Sequence, residues 1–217
     1  MISFISLLLI AQPDIGQTLL VIFCWAVLIF TSGINIYILL AIFIACASLL
    51  TYLIIYVPRF DYIQGRIFSF FNRETGTHNF QSDKAIESIT SGGFFGKGIG
   101  EGVLKNRVPE AHTDYIISVI SEEFGVVAIM LILLLFLILI YMVFKKISFE
   151  TNDKVKLILI GSISLILMQA TIHIGVNIRL FPTTGMTLPF LSYGGSSIIS
   201  TSILGGIILN LTKRKIT

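Results

Sequence analysis

Four stretches of this chain carry no Asp, Glu, Lys or Arg: residues 15–58, 124–144, 157–178 and 180–212. A helix needs about 20 apolar residues to cross a bilayer. The first stretch therefore holds two spans, and each of the others holds one. Charged residues make up 12% of the sequence, against about 25% in a soluble domain. Mean hydropathy is +0.92. Lipid is the solvent for much of the chain. The expected fold is an all-α integral membrane protein forming a single membrane domain over 1–217. Spans are expected at about 16–33, 36–57, 115–144, 157–178 and 193–212.

The apolar run from Met1 to Ala11 makes a helix of only about 15 Å. It has no basic segment before it, so it does not read as a signal peptide. It is expected to be a half-helix, the tail of a span whose beginning is absent. Ser32, Gly33, Ile34 and Asn35 mark a tight turn between the first two spans. Residues 58–113 hold 13 of the 27 charged residues. They are expected as a large polar loop in water or at the interface, with a short helix over Asp83–Thr90. Lys145, Lys146, Lys154 and Lys156 lie in one short connection, and Lys213, Arg214 and Lys215 end the chain. Two spans separate these groups, so they share a side, which the positive-inside rule makes cytoplasmic. The loop 58–113 and the stretch 180–192 then face outward, as do Gln12, Pro13 and Asp14. The net charge of +3, spread over several loops, gives no nucleic-acid footprint. Cys24 and Cys46 lie in apolar runs without metal spacing and read as buried small side chains.

Polar residues within a bilayer face protein or a wet cavity. Asp114, Ser118, Ser121, Glu122 and Gly125 share one helical face, as do Ser162, Gln169, His173 and Asn177. Ser197, Thr201 and Gly205 form a small-residue ridge suited to close helix packing. Two readings stand at this point. One is an outward-opening wet pocket walled by the last three helices. The other is polar glue between helices.

Three motifs carry candidate chemistry. Ser91 to Gly102 is glycine-rich but is neither a phosphate-binding loop nor a GxGxxG fingerprint. It suits either an anion nest, with Lys97 adding charge, or a flexible surface turn. Pro109-Glu110-Ala111-His112-Thr113-Asp114 immediately precedes a span. By residue type alone, Thr113 or Asp114 is better read as a helix cap than as a general base. Phe181 to Ser197 holds two prolines and three glycines. It cannot be a regular helix, so it is expected as a re-entrant or interfacial segment shaping a site.

Together these residues resemble one family closely. Gln12-Pro13-Asp14-Ile15-Gly16, the GGFFGKGIGEG run, PEAHTD with Glu122-Glu123-Phe124-Gly125 after it, GVN at 175–177 and PTTGMTLPFLSYGGSS all look like SEDS proteins (FtsW/RodA/SpoVE). They occur in the family's order, and the likeness covers essentially the whole chain. The Thr183-Thr184-Gly185 and Gly100-Glu101-Gly102 forms look like the cell-division branch. The family has about ten spans, so the chain is expected to match its C-terminal half, as a truncated or split form. The resemblance implies a peptidoglycan glycosyltransferase that polymerises lipid II in the bacterial inner membrane at the division septum. It implies a class B penicillin-binding protein and other division proteins as partners. It also makes Asp114 the catalytic residue, against the cap reading.

The acceptor 4-hydroxyl would give its proton to Asp114 while undecaprenyl pyrophosphate leaves the donor. Lys97, Lys105, Arg107 or a divalent cation such as Mg or Mn would balance the leaving charge. No metal-ligand cluster is visible in the sequence. Arg179, where the family commonly has a small or polar residue, would contact pyrophosphate or snorkel. Glu110, His112, Thr113, Gln169, His173, Asn177, Thr183, Thr184, Ser192, Tyr193 and Ser196 complete the candidate substrate-binding set. The alternatives are a lipid II flippase and an inactive membrane scaffold of the division machinery.

Overall fold

The computed structural model describes residues 6, 8–9, 12, 14–71, 77–104 and 108–213. Most of the N-terminal apolar run, and both Lys105 and Arg107, lie outside the described residues.

Every regular element among the described residues is helical. Helix α1 (Ile15–Thr31) begins where the Asp14 carboxylate accepts from the Gln17 amide at 3.0 Å. Helix α2 (Ile36–Tyr56) begins where Asn35 caps the Tyr37 amide at 3.0 Å. Ser32 to Asn35 make the expected tight turn between them. Gly33 supplies the positive φ of 87° there. Helix α5 (Ile116–Phe149), α6 (Asp153–Asn177) and α7 (Gly195–Thr212) follow the intervening segment. Helices α2, α5, α6 and α7 are long and apolar enough to cross a membrane. The expected first span, α1, has 17 residues and is about 25 Å long, shorter than the other four.

The segment 58–113 is largely helical rather than a loop. A 3-10 turn at Pro58–Phe60 leads into α3 (Asp61–Phe71), and α4 (Thr77–Gly92) follows. Helix α4 is longer than the expected 83–90. Its packing face is Ser82, Ala85, Ser88 and Gly92, all buried. These small residues recur at helical spacing, so the face is not visible to a search for apolar periodicity.

Helix α5 bears out the expected span and adds a break within it. Gly125, at φ 75° and ψ −174°, breaks it in a region of backbone space that is essentially glycine-only. Before the break, Ile117, Ser118, Val119, Ser121 and Glu122 are buried. Beyond it, Met130, Leu131, Leu134, Leu135 and Leu137 are exposed, as a lipid-facing helix requires. The break opens the helical ladder, and the glycine run closes on it. The amides of Lys97 and Gly98 donate to the carbonyls of Glu122 and Glu123 at 2.8 and 3.1 Å. The amides of Val126 and Val127 donate to Gly93 and Phe94 at 3.0 and 3.3 Å. Gly92 and Gly96 permit this approach, because a Cβ on either would strike the backbone of α5.

Helix α6 is the centre of the molecule and packs on α1, α4, α5 and α7. One end of the bundle holds a cluster of Val143, Leu159, Ile163, Ile166 and Ile208. The other holds Leu20, Ala85, Tyr115, Val119, Ile172, Val176 and Met186. Cys24 is buried with its thiol 3.6 Å from the Gly161 carbonyl, whereas Cys46 is only half-buried.

The packing of α4 on α5 gives a direct test. Gly92→Ala should destabilise by about 1–3 kcal/mol, the usual cost of overpacking. Gly206→Ala, whose Cβ would meet nothing within 4 Å, should change the thermal midpoint in detergent little. Equal midpoints for the two variants would contradict the close contact.

Candidate functional site

Residues 178–194, between α6 and α7, are non-helical and fold back against α6. Backbone donors and acceptors at membrane depth need partners within the protein, and the polar face of α6 provides them. Gln169 donates to the Thr187 carbonyl at 3.0 Å, to its hydroxyl at 3.1 Å and to the Ser197 hydroxyl at 3.2 Å. His173 Nδ1 lies 2.7 Å from the Met186 carbonyl. A carbonyl only accepts, so Nδ1 carries the proton. Asn177 donates to the carbonyls of Asp114 and His173 at 3.0 and 2.9 Å. The glue reading of Gln169, His173 and Asn177 describes these contacts, while His173 Nε2 and Asn177 Oδ1 are buried without a partner among the described residues.

The turn 110–115 is pinned from the same side. The Glu110 carbonyl accepts the amides of Thr113, Asp114 and Tyr115, at 3.1, 3.0 and 3.3 Å. Glu110 itself sits at φ 55°, a conformation uncommon outside glycine. The Ser192 hydroxyl donates to the Thr113 carbonyl at 2.7 Å and accepts from the Leu188 amide at 2.8 Å. The Tyr193 amide donates to the His112 carbonyl at 2.9 Å, while the Tyr193 ring is exposed. The His112 side chain is exposed too, and Ser196 offers only its carbonyl, to the Ser200 hydroxyl. Helix α5 has Tyr115 at its N-cap and no side-chain cap. The Thr113 hydroxyl is bound to Glu110 instead, at 3.0 Å from its carboxylate. Neither Thr113 nor Asp114 acts as the cap.

Asp114 is thus a carboxylate held by its backbone. Its Oδ2 lies 3.5 Å from where a Cβ on Gly185 would stand. Burial raises its carboxyl above the ordinary carboxylate range, the nearby Glu110 charge adds to the rise, and the Arg66 guanidinium opposes it. Arg66, on α3, also donates to the Thr183 carbonyl at 3.0 Å.

Beside this point a cavity of about 460 Å³ opens between α1, α2, α3 and residues 182–184. Gln12, Asp14, Arg66, Thr183 and Thr184 are its polar lining, with Ile54, Ile63 and Ile67 among the apolar walls. The Thr184 hydroxyl is buried and has no partner among the described residues. The cavity is therefore on the α1–α3 side of the chain; Asp114 is not among its lining residues and lies against Gly185, next in the chain to Thr184 of the wall. Asp14 is named in the sequence only through its motif and its outward face, and Arg66 is not singled out there at all. The signal for Arg66 was its place with Ile63 and Ile67 on one face of an unrecognised helix.

The glycine-rich run does not join this group. Lys97 pairs with the buried Glu122 at 3.6 Å, which lies about 9 Å along α5 by helical rise from its first residue Ile116, while Asp114 precedes the helix. Glu122 also accepts from the Ser88 hydroxyl at 3.1 Å and the Leu104 amide at 3.0 Å. Arg179 pairs with Asp83, fastening α6 to α4. Among the described residues, no group of three His, Cys, Asp or Glu side chains is placed to hold a metal ion.

Comparison with known proteins adds the following. Residues 1–216 match the family model described as cell cycle protein, FTSW_RODA_SPOVE. A probable peptidoglycan glycosyltransferase FtsW of Caulobacter vibrioides is 36% identical over 212 residues, covering 96% of this chain and 52% of that protein. A protein of the same description from Enterococcus hirae is 32% identical over 225 residues, covering 98% of this chain and 57% of that one. The chain spans about half the length of these curated relatives. Among solved structures, one described by the structural coordination of polymerization and crosslinking by a peptidoglycan synthase complex contains a similar chain. It superposes with a TM-score of 0.75 at 27% identity, over 100% of this chain and 62% of that one.

The electrostatics of the turn can be read by infrared titration of the Asp114 carboxyl, assigned with Asp114→Asn. Its midpoint should lie above the ordinary carboxylate range. Glu110→Gln removes a neighbouring negative charge and should lower it. Arg66→Met removes a positive one and should raise it. Shifts of the opposite sign would mean that the carboxylate does not stand between these two groups.

Proposed function

We propose, on the premise that this chain belongs to the FtsW/RodA/SpoVE family of cell cycle proteins, that it supplies the catalytic half of a peptidoglycan glycosyltransferase. The substrate is lipid II, and Asp114 is the general base. The observation that carries this reading is the half-buried Asp114 carboxylate, raised in pKa by burial and lying against Gly185, the chain neighbour of Thr184 in the wall of the 460 Å³ cavity. A carboxylate with a raised pKa is the stronger proton acceptor. Among the described residues no side chain donates to it.

The acceptor sugar's 4-hydroxyl meets Asp114 and gives up its proton. The oxygen forms a bond to the donor's anomeric carbon, and the carbon–oxygen bond to undecaprenyl pyrophosphate breaks. The leaving pyrophosphate takes the electron pair, and the centre inverts. Arg66 is the cation closest to this chemistry among the described residues, and Thr184 offers a hydroxyl to a sugar. Lys97 is engaged by Glu122 and serves the fold. The residues offer no donor set for a resident metal, so no step is assigned to one. The class B penicillin-binding protein of the family would receive the glycan strand.

Asp114, Arg66 and the cavity lie at one end of the bundle, and Lys145, Lys146 and Lys213 lie at the other. With the lysine end cytoplasmic by the positive-inside rule, the cavity and most of 58–113 face outward, at the septum in this reading. Transport across both leaflets would need a polar path through the bundle. The apolar cluster of Val143, Leu159, Ile163, Ile166 and Ile208 fills the cytoplasmic half instead, which favours chemistry at the outer surface.

The test is lipid II polymerisation in membranes containing this chain, alone and with the N-terminal half of the Caulobacter relative supplied. Asp114→Asn should lower the rate by about 10²- to 10⁴-fold, the range of general-base contributions. It should not lower the thermal midpoint at neutral pH. An aspartate whose pKa is raised on folding opposes folding once ionised, above its unfolded pKa, and Asn removes that opposition. Undiminished polymer from the variant would remove Asp114 from the mechanism. Lipid II flipping without polymer in either preparation would replace polymerase with transporter.

A further inference from the structure

The end of the bundle away from Asp114 holds a second and larger cavity, of about 1250 Å³. It opens between the last turns of α5, the connection to α6 and the end of α7. Its walls divide by chemistry. Tyr141, Met142, Phe149, Val155 and Leu211 are apolar, and Lys145, Lys146 and Lys213 stand among them.

The ordinary reading of these lysines is that they complement helix C-termini and mark the cytoplasmic side. That reading accounts for charge but not for a cavity between the helices that bear it. The lysines also differ in their engagements. Lys146 is bound to Glu150 at 3.0 Å. Lys145 lies 6.0 Å from the Tyr141 ring centroid. Among the described residues, neither Lys145 nor Lys213 makes an ion pair. With Glu150 as the one acid in the lining, the cavity carries a net positive charge. Asn210 adds an amide donor to the same wall.

We infer that this cavity binds the headgroup of an anionic glycerophospholipid, with its phosphate between Lys145 and Lys213 and its glycerol and first acyl carbons against Tyr141, Met142 and Leu211. The ligand must be an anion, because two uncommitted ammonium groups face one shared space. It must also be amphiphilic, because Tyr141, Met142, Phe149, Val155 and Leu211 share the lining with the polar groups and the flanking faces of α5 and α7 are lipid-exposed: Met142, Phe144 and Leu209 are all exposed. A basic cavity between membrane helices at the headgroup level meets both demands. The site is independent of the Asp114 cavity and of the polymerase reading.

Native mass spectrometry of the chain extracted from mixed phosphatidylglycerol and phosphatidylcholine vesicles tests the inference. One phosphatidylglycerol should be retained in preference to phosphatidylcholine. Each lysine near an anionic headgroup contributes about fivefold in affinity, so Lys145→Gln with Lys213→Gln should lower retention more than about tenfold. Lys154→Gln with Lys156→Gln should leave it unchanged, since these lysines are at the same end of the bundle but outside the cavity. Equal losses from both pairs would reduce the effect to general surface charge and overturn the site. Retention unchanged in Lys145→Gln with Lys213→Gln would do the same. Displacement of the lipid by millimolar inorganic phosphate would show a free-anion site and overturn the lipid assignment.

Discussion

Backbone that leaves the helix at membrane depth has to find its hydrogen bonds inside the protein, and this molecule does so twice. Between α6 and α7, residues 178–194 abandon helical geometry, and Gln169, His173 and Asn177 reach from α6 to hold them. At Gly125, α5 breaks, and the loop after α4 lends two amides and two carbonyls to the severed ladder. Each unmet group would cost on the order of a few kcal/mol in an apolar medium. Both arrangements are therefore bound closely to the rest of the fold.

The geometry of the turn that carries Asp114 is a by-product of the first arrangement. Asn177 spans from the His173 carbonyl to the Asp114 carbonyl, and Ser192 joins Thr113 to Leu188. The turn 110–115 is thereby fixed by its backbone, which leaves the Asp114 carboxylate against Gly185. A side chain engaged as a helix cap would be unavailable as a base. Here neither the Thr113 nor the Asp114 side chain caps α5, and the turn before it is closed by the Glu110 carbonyl, which gathers three consecutive amides.

The two cavities differ in the charge they carry and in what surrounds it. The smaller one sets Arg66 and Asp14 together beside a carboxylate whose pKa burial raises, an arrangement suited to moving a proton. The larger one has a positive excess with no base poised inside it, an arrangement suited to holding an anion. An apolar cluster between the two ends keeps them separate. One short bundle thus keeps two cavities of different charge at opposite ends.

Charge-free runs alone located α1, α2, α6 and α7 and the lipid-facing part of α5, because the cost of ionised groups in hydrocarbon is paid residue by residue. Motif order placed Asp114 at a span's edge for the same local reason, and carried the family resemblance. The sequence was silent where the deciding contact joins distant segments. Helix α4 packs through serines, alanine and glycine, whose fit depends on the surface of α5. The glycine run suited an anion nest or a loose turn, and only its partner Gly125 made it a splint. Gln169, His173 and Asn177 were legible as one face, but whether a face meets water or backbone depends on what folds against it. Arg66 became part of the site only when α3 brought it beside Thr183. Local solvation energy is written in composition, whereas hydrogen-bond partnership across more than a hundred residues exists only once the chain has closed.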